Sequence, residues 1–229
     1  MRARKKKWAE TELLENEYIF QNAIDCKDIW EQIFGNVQPI ALEIGCGMGS
    51  FIVESAKNKP NMNFIGLERE KMVIVTGARK IREWNESIDD TANAIENVRF
   101  VLGEAAELEE FIAPGEISRI YINFCDPWVR RKKWAKRRLT HRSFLDMYKK
   151  LLCAGGELHL KTDSAELFEF SANELLECGW RLNNLTLDLH NSRWAADNVI
   201  TEYEAKFAAK GMPIYRLEAG VGKEAADIG

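Results

Sequence analysis

Short apolar runs alternate along the chain with longer segments in which apolar residues recur every three or four positions. The runs predict buried strands, and the longer segments have the spacing of helices with one apolar face. The predicted strands cover residues 39–44, 63–68, 98–102, 119–124 and 157–161, and the predicted helices cover residues 51–59, 71–84, 105–112, 140–152 and 164–178. This alternation is typical of an α/β protein with a mostly parallel, doubly wound sheet.

The C-terminal third of the chain changes character. Residues 181–189 alternate between apolar and polar side chains, and residues 199–207 are also strand-like. Together they predict an antiparallel hairpin at one edge of the sheet. Residues 219–229 show no periodicity, so we expect them to form a loose tail.

The N-terminal part is basic at first and then helical in its spacing, over residues 11–20 and 27–34. We therefore predict that residues 1–35 form a basic, helical extension. Because no internal repeat or low-complexity linker interrupts the chain, we predict that residues 1–229 form a single domain.

Composition excludes several classes of protein. No apolar run approaches the roughly twenty residues of a membrane-spanning helix, and no apolar signal core follows the basic start. The five cysteines are scattered without a CxxC pair, which argues against a disulfide framework and against a zinc knuckle. These cysteines lead us to expect a protein of the reducing cytoplasm. The three histidines lack metal-ligand spacing, so we expect no metal site.

The net charge of −4 conceals two strongly basic segments. One covers residues 2–7 and the other covers residues 130–142, and neither contains an acidic residue. A polyanion responds to the local field and not to the net charge, so the acidic overall composition is compatible with a nucleic-acid ligand.

A glycine-rich turn joins the first long predicted strand to the next helix. Gly45, Gly47 and Gly49 occupy this turn, where a backbone without side chains can approach a ligand closely. Glu68 ends the next predicted strand, about twenty residues further on, which is a position suited to the two hydroxyls of a bound ribose. The pattern predicts a nucleotide-type site.

Three further residues bear on which cofactor is bound. A dinucleotide fingerprint requires glycine or alanine where this chain has Ser50. Glu43 lies in an apolar strand, where a carboxylate would repel a pyrophosphate but would suit the cationic S-adenosylmethionine. Glu104, just after the third strand, can accept a hydrogen bond from an adenine amino group. These residues favour S-adenosylmethionine as the cofactor.

Chemistry on a nucleobase is indicated by residues 123–128 and by the basic segment that follows. The strand before them delivers the carboxylate of Asp126 to a strand end, beside Pro127 and Trp128. A carboxylate next to an aromatic ring can hold a planar base, and the adjacent cations can hold a phosphate backbone.

These motifs coincide with those of one family. The chain resembles the bacterial tRNA (guanine-N7-)-methyltransferases, which use S-adenosylmethionine to methylate a guanine in the variable loop of tRNA. The shared motifs are Met1–Arg4, Lys7-Trp8, Phe34–Asn36, Glu43–Gly49, Phe64–Glu68, Asp126–Trp128, Lys136–Leu139, Lys161–Asp163, Asp188–His190 and Thr201–Glu204. The glycine loop marks a broad superfamily, whereas the last four motifs in this order are specific to the family.

The resemblance implies a Rossmann-like class I methyltransferase fold and a set of functional residues. It implies Glu43, Glu68, Glu104 and Asp126 as cofactor contacts, Asp126 also as the catalytic residue, and Arg130, Asp163, Thr201, Glu202, Tyr203 and Glu204 as substrate contacts. The basic run Lys132, Lys133, Lys136, Arg137 and Arg138 is the implied grip on tRNA. The chain departs from the family pattern at Glu104, Val129 and Arg130. The expected assembly is a monomer or homodimer.

Three other functions compete with this interpretation. A Rossmann-like methyltransferase acting on an exocyclic amine of RNA or DNA would carry a second proline after Asp126-Pro127. A non-catalytic RNA-binding module would have no need of the intact set of Glu43, glycines and Glu68. A nicotinamide-dependent dehydrogenase is disfavoured by Ser50 and Glu43.

Overall fold

A computed structural model describes residues 11–14, 16–90, 93–129 and 132–221, without the side chain of Lys132. Its eight strands form one sheet in the order β1-β4-β3-β2-β5-β6-β8-β7. The strands are β1 (Ile19–Phe20), β2 (Ile40–Ile44), β3 (Asn63–Glu68), β4 (Val98–Leu102), β5 (Ile117–Asn123), β6 (Leu152–Thr162), β7 (Trp180–Thr186) and β8 (Tyr215–Val221). Pairings from β1 to β6 are parallel, and β8 is antiparallel to β6 and β7. The predicted mostly parallel sheet with an antiparallel edge is confirmed.

Helices cover both faces of this sheet. They are α1 (Trp30–Phe34), α2 (Ser50–Asn58), α3 (Lys71–Ser87), α4 (Leu108–Phe111), α5 (Arg142–Leu151), α6 (Ala165–Glu177) and α7 (Glu202–Ala208), with 3-10 helices at Ile24–Cys26, Ala105–Glu107 and Lys132–Arg137. Adjacent strand residues point to opposite faces, so Ala41 packs with α2 and α3 while Leu42 packs with α5 and α6. Burying each large aliphatic side chain in these two layers stabilises the fold by about 2 kcal/mol.

The strand order reverses at β2, which lies between β3 and β5. Ligands of open α/β sheets bind at such a switch point, beyond the carboxyl ends of the strands. The segments that follow β2, β3, β4, β5 and β6 all emerge at this edge because these strands are parallel. The fold therefore places the glycine turn, Glu68, Glu104, Asp126 and Asp163 at the same edge of the sheet.

The N-terminal helical prediction is only partly met. Residues 11–14 are helical, but Ile19 and Phe20 form a short strand parallel to β4, so the helix predicted to reach residue 20 is wrong there. The Phe100 amide donates a hydrogen bond of 2.7 Å to the carbonyl of Tyr18. Pairing with the open edge of β4 outweighs the local helical spacing. Residues 1–10 of the predicted basic extension lie outside the described residues.

The antiparallel edge is present, but the segment predicted to complete it is wrong. Residues 202–207 of this segment belong to helix α7, and the partner of β7 is β8. Thr201 and Glu204 form a capping box, a helix-start arrangement that outweighs the alternating pattern of side chains. Residues 219–221, predicted to belong to a loose tail, are paired within β8, whereas residues 222–229 lie outside the described residues.

Candidate active site

A cavity of about 590 Å³ opens at the carboxyl ends of β2 to β5. Its walls bring together four residues that the sequence predicts as cofactor contacts: Gly45, Glu68, Glu104 and Asp126. Leu67, Ala105 and Phe144 add apolar surface, and Lys136 and Arg137 add positive charge at its wall. The volume and this mixture of an apolar wall with a few polar groups suit a nucleoside-sized ligand.

The glycine turn follows β2 in a left-handed backbone conformation. Gly45, Gly47 and Gly49 have φ values of 76°, 57° and 72°, which side-chain-bearing residues rarely adopt. A Cβ on Gly45 or Gly47 would meet no atom within 4 Å, so their requirement for glycine is conformational. A Cβ on Gly49 would lie 2.8 Å from the Cα of Gly77, which makes Gly49 a packing contact between α2 and α3.

Glu68 is held in place by the backbone around it. Its Oε2 accepts a hydrogen bond from the Gly47 amide at 3.0 Å, and its Oε1 accepts from the amides of Arg69 and Glu70 at 2.9 and 3.0 Å. These bonds join the end of β3 to the glycine turn. The carboxylate is therefore held in a fixed position on the cavity wall.

Glu104 starts the 3-10 helix after β4 and also lines the cavity. It forms a capping box with Glu107, whose carboxylate accepts a hydrogen bond of 3.0 Å from the Glu104 amide. Glu104 therefore both starts the helix and lines the cavity.

Glu43 lies one residue behind the cavity wall formed by Ile44 and Gly45. The residue is 3% exposed, and its Oε1 accepts a hydrogen bond of 2.9 Å from Asn123 Nδ2. Its Oε2 has no hydrogen-bond partner among the described residues. Burial raises the pKa of Glu43 to about 8, against the opposing effects of Asn123 and of the positive charge of Lys161.

Asp126 is exposed at the end of β5, on the wall of the same cavity. The backbone bends sharply on both sides of it, because Phe124 and Trp128 have φ values of 51° and 47°. Such conformations cost on the order of 1 kcal/mol each for residues other than glycine and persist where the surroundings hold them. Here the Phe124 amide bonds to the carbonyl of Lys161 at 2.9 Å, and Arg138 Nε bonds to the carbonyl of Pro127 at 2.8 Å.

The basic segment after Asp126 divides into exposed and buried members. Lys133, Lys136 and Arg137 are exposed, and the guanidinium of Arg137 lies 4.9 Å from the ring centroid of Trp128. Arg138, expected to grip RNA, is instead buried: its Nη2 donates to Glu166 Oε1 at 2.8 Å. Its side chain is only 7% exposed and supports the bend after Asp126. Arg130 and the side chain of Lys132 lie outside the described residues.

The side chains of the predicted substrate segment Thr201–Glu204 lie in different environments. Thr201 caps α7, and Glu202 accepts hydrogen bonds from Ser50 and from Lys80, whose Nζ lies 2.6 Å away. Tyr203 is 58% exposed. Glu204 is fully buried, so its carboxylate lies below the surface at which the sequence predicts a substrate contact.

Lys161 organises this region, a role that its sequence motif alone does not predict. Its buried Nζ donates to Asn198 Oδ1 at 3.0 Å, to the carbonyl of Val199 at 2.8 Å and to Glu204 Oε2 at 2.8 Å. Burial lowers the pKa of Lys161, and Glu204 opposes that effect. A lysine at an apolar strand end was the available signal. Asp163 follows two residues later, half-buried and outside the residues that line the cavity.

A second cavity of about 290 Å³ was not predicted from the sequence. Alternate residues of β5, β6 and β8 give it a charged floor, in which the His159 ring lies 3.0 Å from Glu157 and 3.5 Å from Glu218. Burial lowers the pKa of His159, while its hydrogen bond to Glu157 opposes this shift. Glu157, His159 and Lys161 of β6 all line this cavity, which explains why charged and apolar residues alternate within that strand.

Neither a metal site nor a membrane-spanning helix is found in the described part of the chain. No group of three or more His, Cys, Asp or Glu side chains there is arranged to hold a metal ion. None of the helices described is both long enough and apolar enough to span a membrane.

The strand order, with a glycine turn at its switch point and acids at successive strand ends, defines a Rossmann-like methyltransferase. A solved structure of an antibiotic-related methyltransferase shares this fold with a TM-score of 0.62 at 19% sequence identity, over 91% of this chain and 98% of that chain. A family model described as a putative methyltransferase matches residues 37–217.

Curated relatives define the family more narrowly. The tRNA (guanine-N(7)-)-methyltransferase of Brevibacillus brevis is 44% identical over 219 residues, which cover 96% of this chain and 98% of that protein. The enzyme of the same name from Bacillus subtilis is 43% identical over 219 residues, covering 95% and 98%. The chain belongs to the tRNA (guanine-N(7)-)-methyltransferase family, which confirms the resemblance seen in its motifs.

Proposed function

We propose that this protein transfers the methyl group of S-adenosylmethionine to N7 of a guanine in the variable loop of tRNA. One observation supports this most strongly. The exposed carboxylate of Asp126 lies on the wall of a cavity that also presents Gly45, Glu68 and Glu104, and exposed cations adjoin that wall. A methyl donor and a base of a polyanion can therefore meet at one carboxylate.

The residues of the cavity fit S-adenosylmethionine. Glu43, one residue behind the cavity wall, has a buried oxygen, Oε2, without a partner among the described residues. Burial raises the pKa of this carboxyl to about 8, and a cationic group bound nearby would favour its ionised form. Glu68 would hold the ribose hydroxyls, and Glu104 would accept from the adenine amino group. When bound, S-adenosylmethionine supplies an electrophilic methyl group.

Asp126 acts on the acceptor base. Guanine N7 carries a lone pair and no proton, so no residue has to deprotonate it, and the task of the protein is alignment. As methylation places positive charge on the purine, the Asp126 carboxylate, accepting a hydrogen bond from the base edge, stabilises that charge. Trp128, with Arg137 over its ring, offers a neighbouring aromatic surface.

The tRNA is held by the exposed cations of the basic segment. Lys133, Lys136 and Arg137 would contact phosphates. Arg130 and Lys132 belong to the same basic segment by sequence. Because a paired base cannot reach the cavity, the guanine has to swing out of the tRNA before reaction. We infer a cytoplasmic enzyme, since its substrate is tRNA and its five cysteines are free.

The test is transfer of a radiolabelled methyl group to unmodified tRNA transcripts. We expect labelling of a transcript with its variable-loop guanine, and none when that guanine is replaced by adenine or by 7-deazaguanine. The 7-deaza base lacks N7 but keeps its exocyclic amine, so labelling of that transcript would indicate methylation of the amine and would refute the proposal.

A further inference from the structure

Three side chains from three different helices meet beside the glycine turn. Ser50 is the first residue of α2, Lys80 lies in α3, and Glu202 is the first residue of α7. Lys80 Nζ donates to Glu202 Oε1 at 2.6 Å and also to Ser50 Oγ, and the Ser50 hydroxyl donates to the same carboxylate oxygen. Each of the three polar groups therefore contacts both of the others. We call these three residues the Lys80 cluster.

On one side, the Lys80 cluster is joined to the cofactor cavity through the glycine turn. Ser50 directly follows Gly49, and the same turn carries Gly45, which lines the cavity. Gly49 lies so close to Gly77 of α3 that a Cβ on Gly49 would be 2.8 Å from the Gly77 Cα. Gly77 precedes Lys80 by three residues, so both lie on the same side of α3. Backbone packing and the Lys80 side chain thus fix the turn to one helix.

On the other side, the Lys80 cluster holds the start of α7. Glu202 directly follows Thr201, which caps this helix. Two residues further on, Glu204 accepts a hydrogen bond of 2.8 Å from the buried Nζ of Lys161. The first turn of α7 is therefore attached to α3 by one lysine and to β6 by another. The family resemblance implies this turn as a substrate contact, so Lys80 joins the substrate segment to the cofactor turn.

The ion pair in the Lys80 cluster is only partly buried. The side chains of Lys80 and Glu202 are 29% and 37% exposed, and ion pairs with this degree of exposure contribute little to folding stability. Burial tends to raise the pKa of Glu202, but the hydrogen bonds from Lys80 and Ser50 lower it overall, so the carboxylate is ionised. Because the cluster adds little stability, its main effect is on where α7 lies relative to the glycine turn.

We propose that Lys80 is a positioning residue that couples cofactor binding to tRNA binding by holding the start of α7 against the glycine turn. The inference rests on the proposed function for its choice of ligands. A cofactor bound at the glycine turn restrains that turn and, through Lys80, also restrains the segment that would contact the tRNA. Each ligand therefore raises the affinity of the other by the same factor. Glu202 acts within the Lys80 cluster and not as a direct contact to the base.

The experiment measures the affinity of the full-length protein for S-adenosylhomocysteine by calorimetry, with and without a saturating unmodified tRNA transcript. This product of the cofactor binds without transferring a methyl group. We expect tRNA to raise its affinity about 5- to 20-fold in the wild type. In Lys80→Met this factor should fall to nearly one. Lys150→Met, which removes an exposed lysine paired with Glu109, is the matched control and should keep the wild-type factor.

Further variants distinguish positioning from a direct contact and from a merely structural role. Reversing the pair, with Lys80→Glu and Glu202→Lys together, should recover most of the coupling, whereas a direct contact of Glu202 with tRNA would prevent recovery. Glu202→Gln, which removes the charge at the same size, should also lower the factor, so the test does not depend on one variant. Lys80→Met should melt at the same temperature as Lys150→Met, because a structural defect would lower stability and leave the factor unchanged.

Two results would overturn the inference. One is an equal coupling factor in the wild type and in Lys80→Met, and the other is a wild-type protein whose affinity for S-adenosylhomocysteine does not respond to tRNA. The proposed function fails separately. If the wild type methylates a different atom or base of the tRNA while Lys80→Met still abolishes the coupling, the proposed reaction is refuted and the role of Lys80 stands.

Discussion

Asp126 is presented to the cavity by a backbone that bends sharply on either side of it. The sequence indicated this residue because an acid follows an apolar strand, with a proline and a tryptophan beside it. It could not indicate the left-handed conformations of Phe124 and Trp128, because neither residue type favours them. Those conformations depend on Lys161 and Arg138, which are distant in the chain.

Replacement of Asp126 tests the role of its carboxylate. We expect Asp126→Ala to lower kcat by at least about 100-fold, because a group that stabilises charge in the transition state is lost. Cofactor affinity should stay measurable, since Gly45, Glu68 and Glu104 remain. Single-turnover methylation and calorimetry with the cofactor measure the two effects. Full activity in Asp126→Ala would show that another group carries the reaction.

Glu43 gives the protein a predictable pH dependence. Its pKa is raised to about 8 in the folded state because of burial, whereas the unfolded chain ionises this carboxyl at its lower, ordinary pKa. The folded state thus retains the proton, and the stability that this proton confers is lost as pH rises toward the folded pKa. Relative to Glu43→Gln, the wild type should lose roughly 1 kcal/mol of unfolding free energy per pH unit between about pH 5 and 8. Urea unfolding at several pH values checks this, and a constant difference would contradict it.

At the scale of elements, the glycine turn combines two different requirements for glycine. The motif predicts that all three glycines allow close approach of a ligand, yet Gly49 also lets α2 pack closely against α3 at Gly77. That contact joins residues of two helices, so spacing within the motif could not have indicated it.

Alanine substitutions separate these two requirements. Both Gly47→Ala and Gly49→Ala place a side chain in left-handed backbone, but only the second forces atoms together, at 2.8 Å from Gly77 Cα. We expect Gly49→Ala to destabilise the protein by about 1–3 kcal/mol more than Gly47→Ala. Denaturant unfolding of the two variants measures the difference, and equal losses would show that backbone strain alone matters.

The pairing of Lys161 with Glu204 holds α7 against the end of β6. Removing one member leaves the other charged and buried, so we expect Lys161→Met to cost about 3–5 kcal/mol of unfolding free energy. The double variant Lys161→Met with Glu204→Gln should recover part of that loss, because no uncompensated charge remains. A complete double-mutant cycle, measured by urea unfolding, tests this coupling. If the losses of unfolding free energy in the two single variants simply add up in the double variant, the two residues are not coupled.

The edges of the sheet were the hardest elements to predict. Strands β2 and β3 follow from apolar runs because they are buried on both faces. Strand β6 alternates instead, because one of its faces meets the second cavity. Helix α7 was mistaken for a strand because Val199, Thr201, Tyr203, Ala205 and Phe207 alternate, although its capping residues were visible in the sequence. Strand β1 has two residues and depends on pairing with β4, which local patterns do not reveal.

At the scale of the whole molecule, charge is segregated to match a polyanion. Lys133, Lys136 and Arg137 are exposed beside the cavity, while the net charge of the chain is −4. The sequence predicted this basic surface, but not that Arg138 is turned inward to Pro127 and Glu166. A run of basic residues in the sequence does not by itself indicate which side chain is buried under the loop and which side chains are exposed to solvent.

The salt dependence of tRNA binding tests the exposed cations. Each phosphate contact contributes about 0.7–0.9 to the slope of log affinity against log salt concentration. We expect Lys136→Ala to reduce the slope by that amount. Lys150→Ala, which removes an exposed cation paired with Glu109 away from the cavity, should leave it unchanged. Equal slopes for Lys136→Ala and the wild type would remove Lys136 from the tRNA surface.

The placement of β8 has a consequence for how the molecule is made. This strand lies between β6 and β7 although it follows both in the chain, and in the described sheet β7 pairs with β8 alone. During synthesis, β6 therefore emerges from the ribosome with an unprotected edge, and β7 has nothing to join until residues 215–221 arrive. The nascent chain must stay soluble through that interval, and a ribosome that stalls before Tyr215 would release a product prone to aggregate.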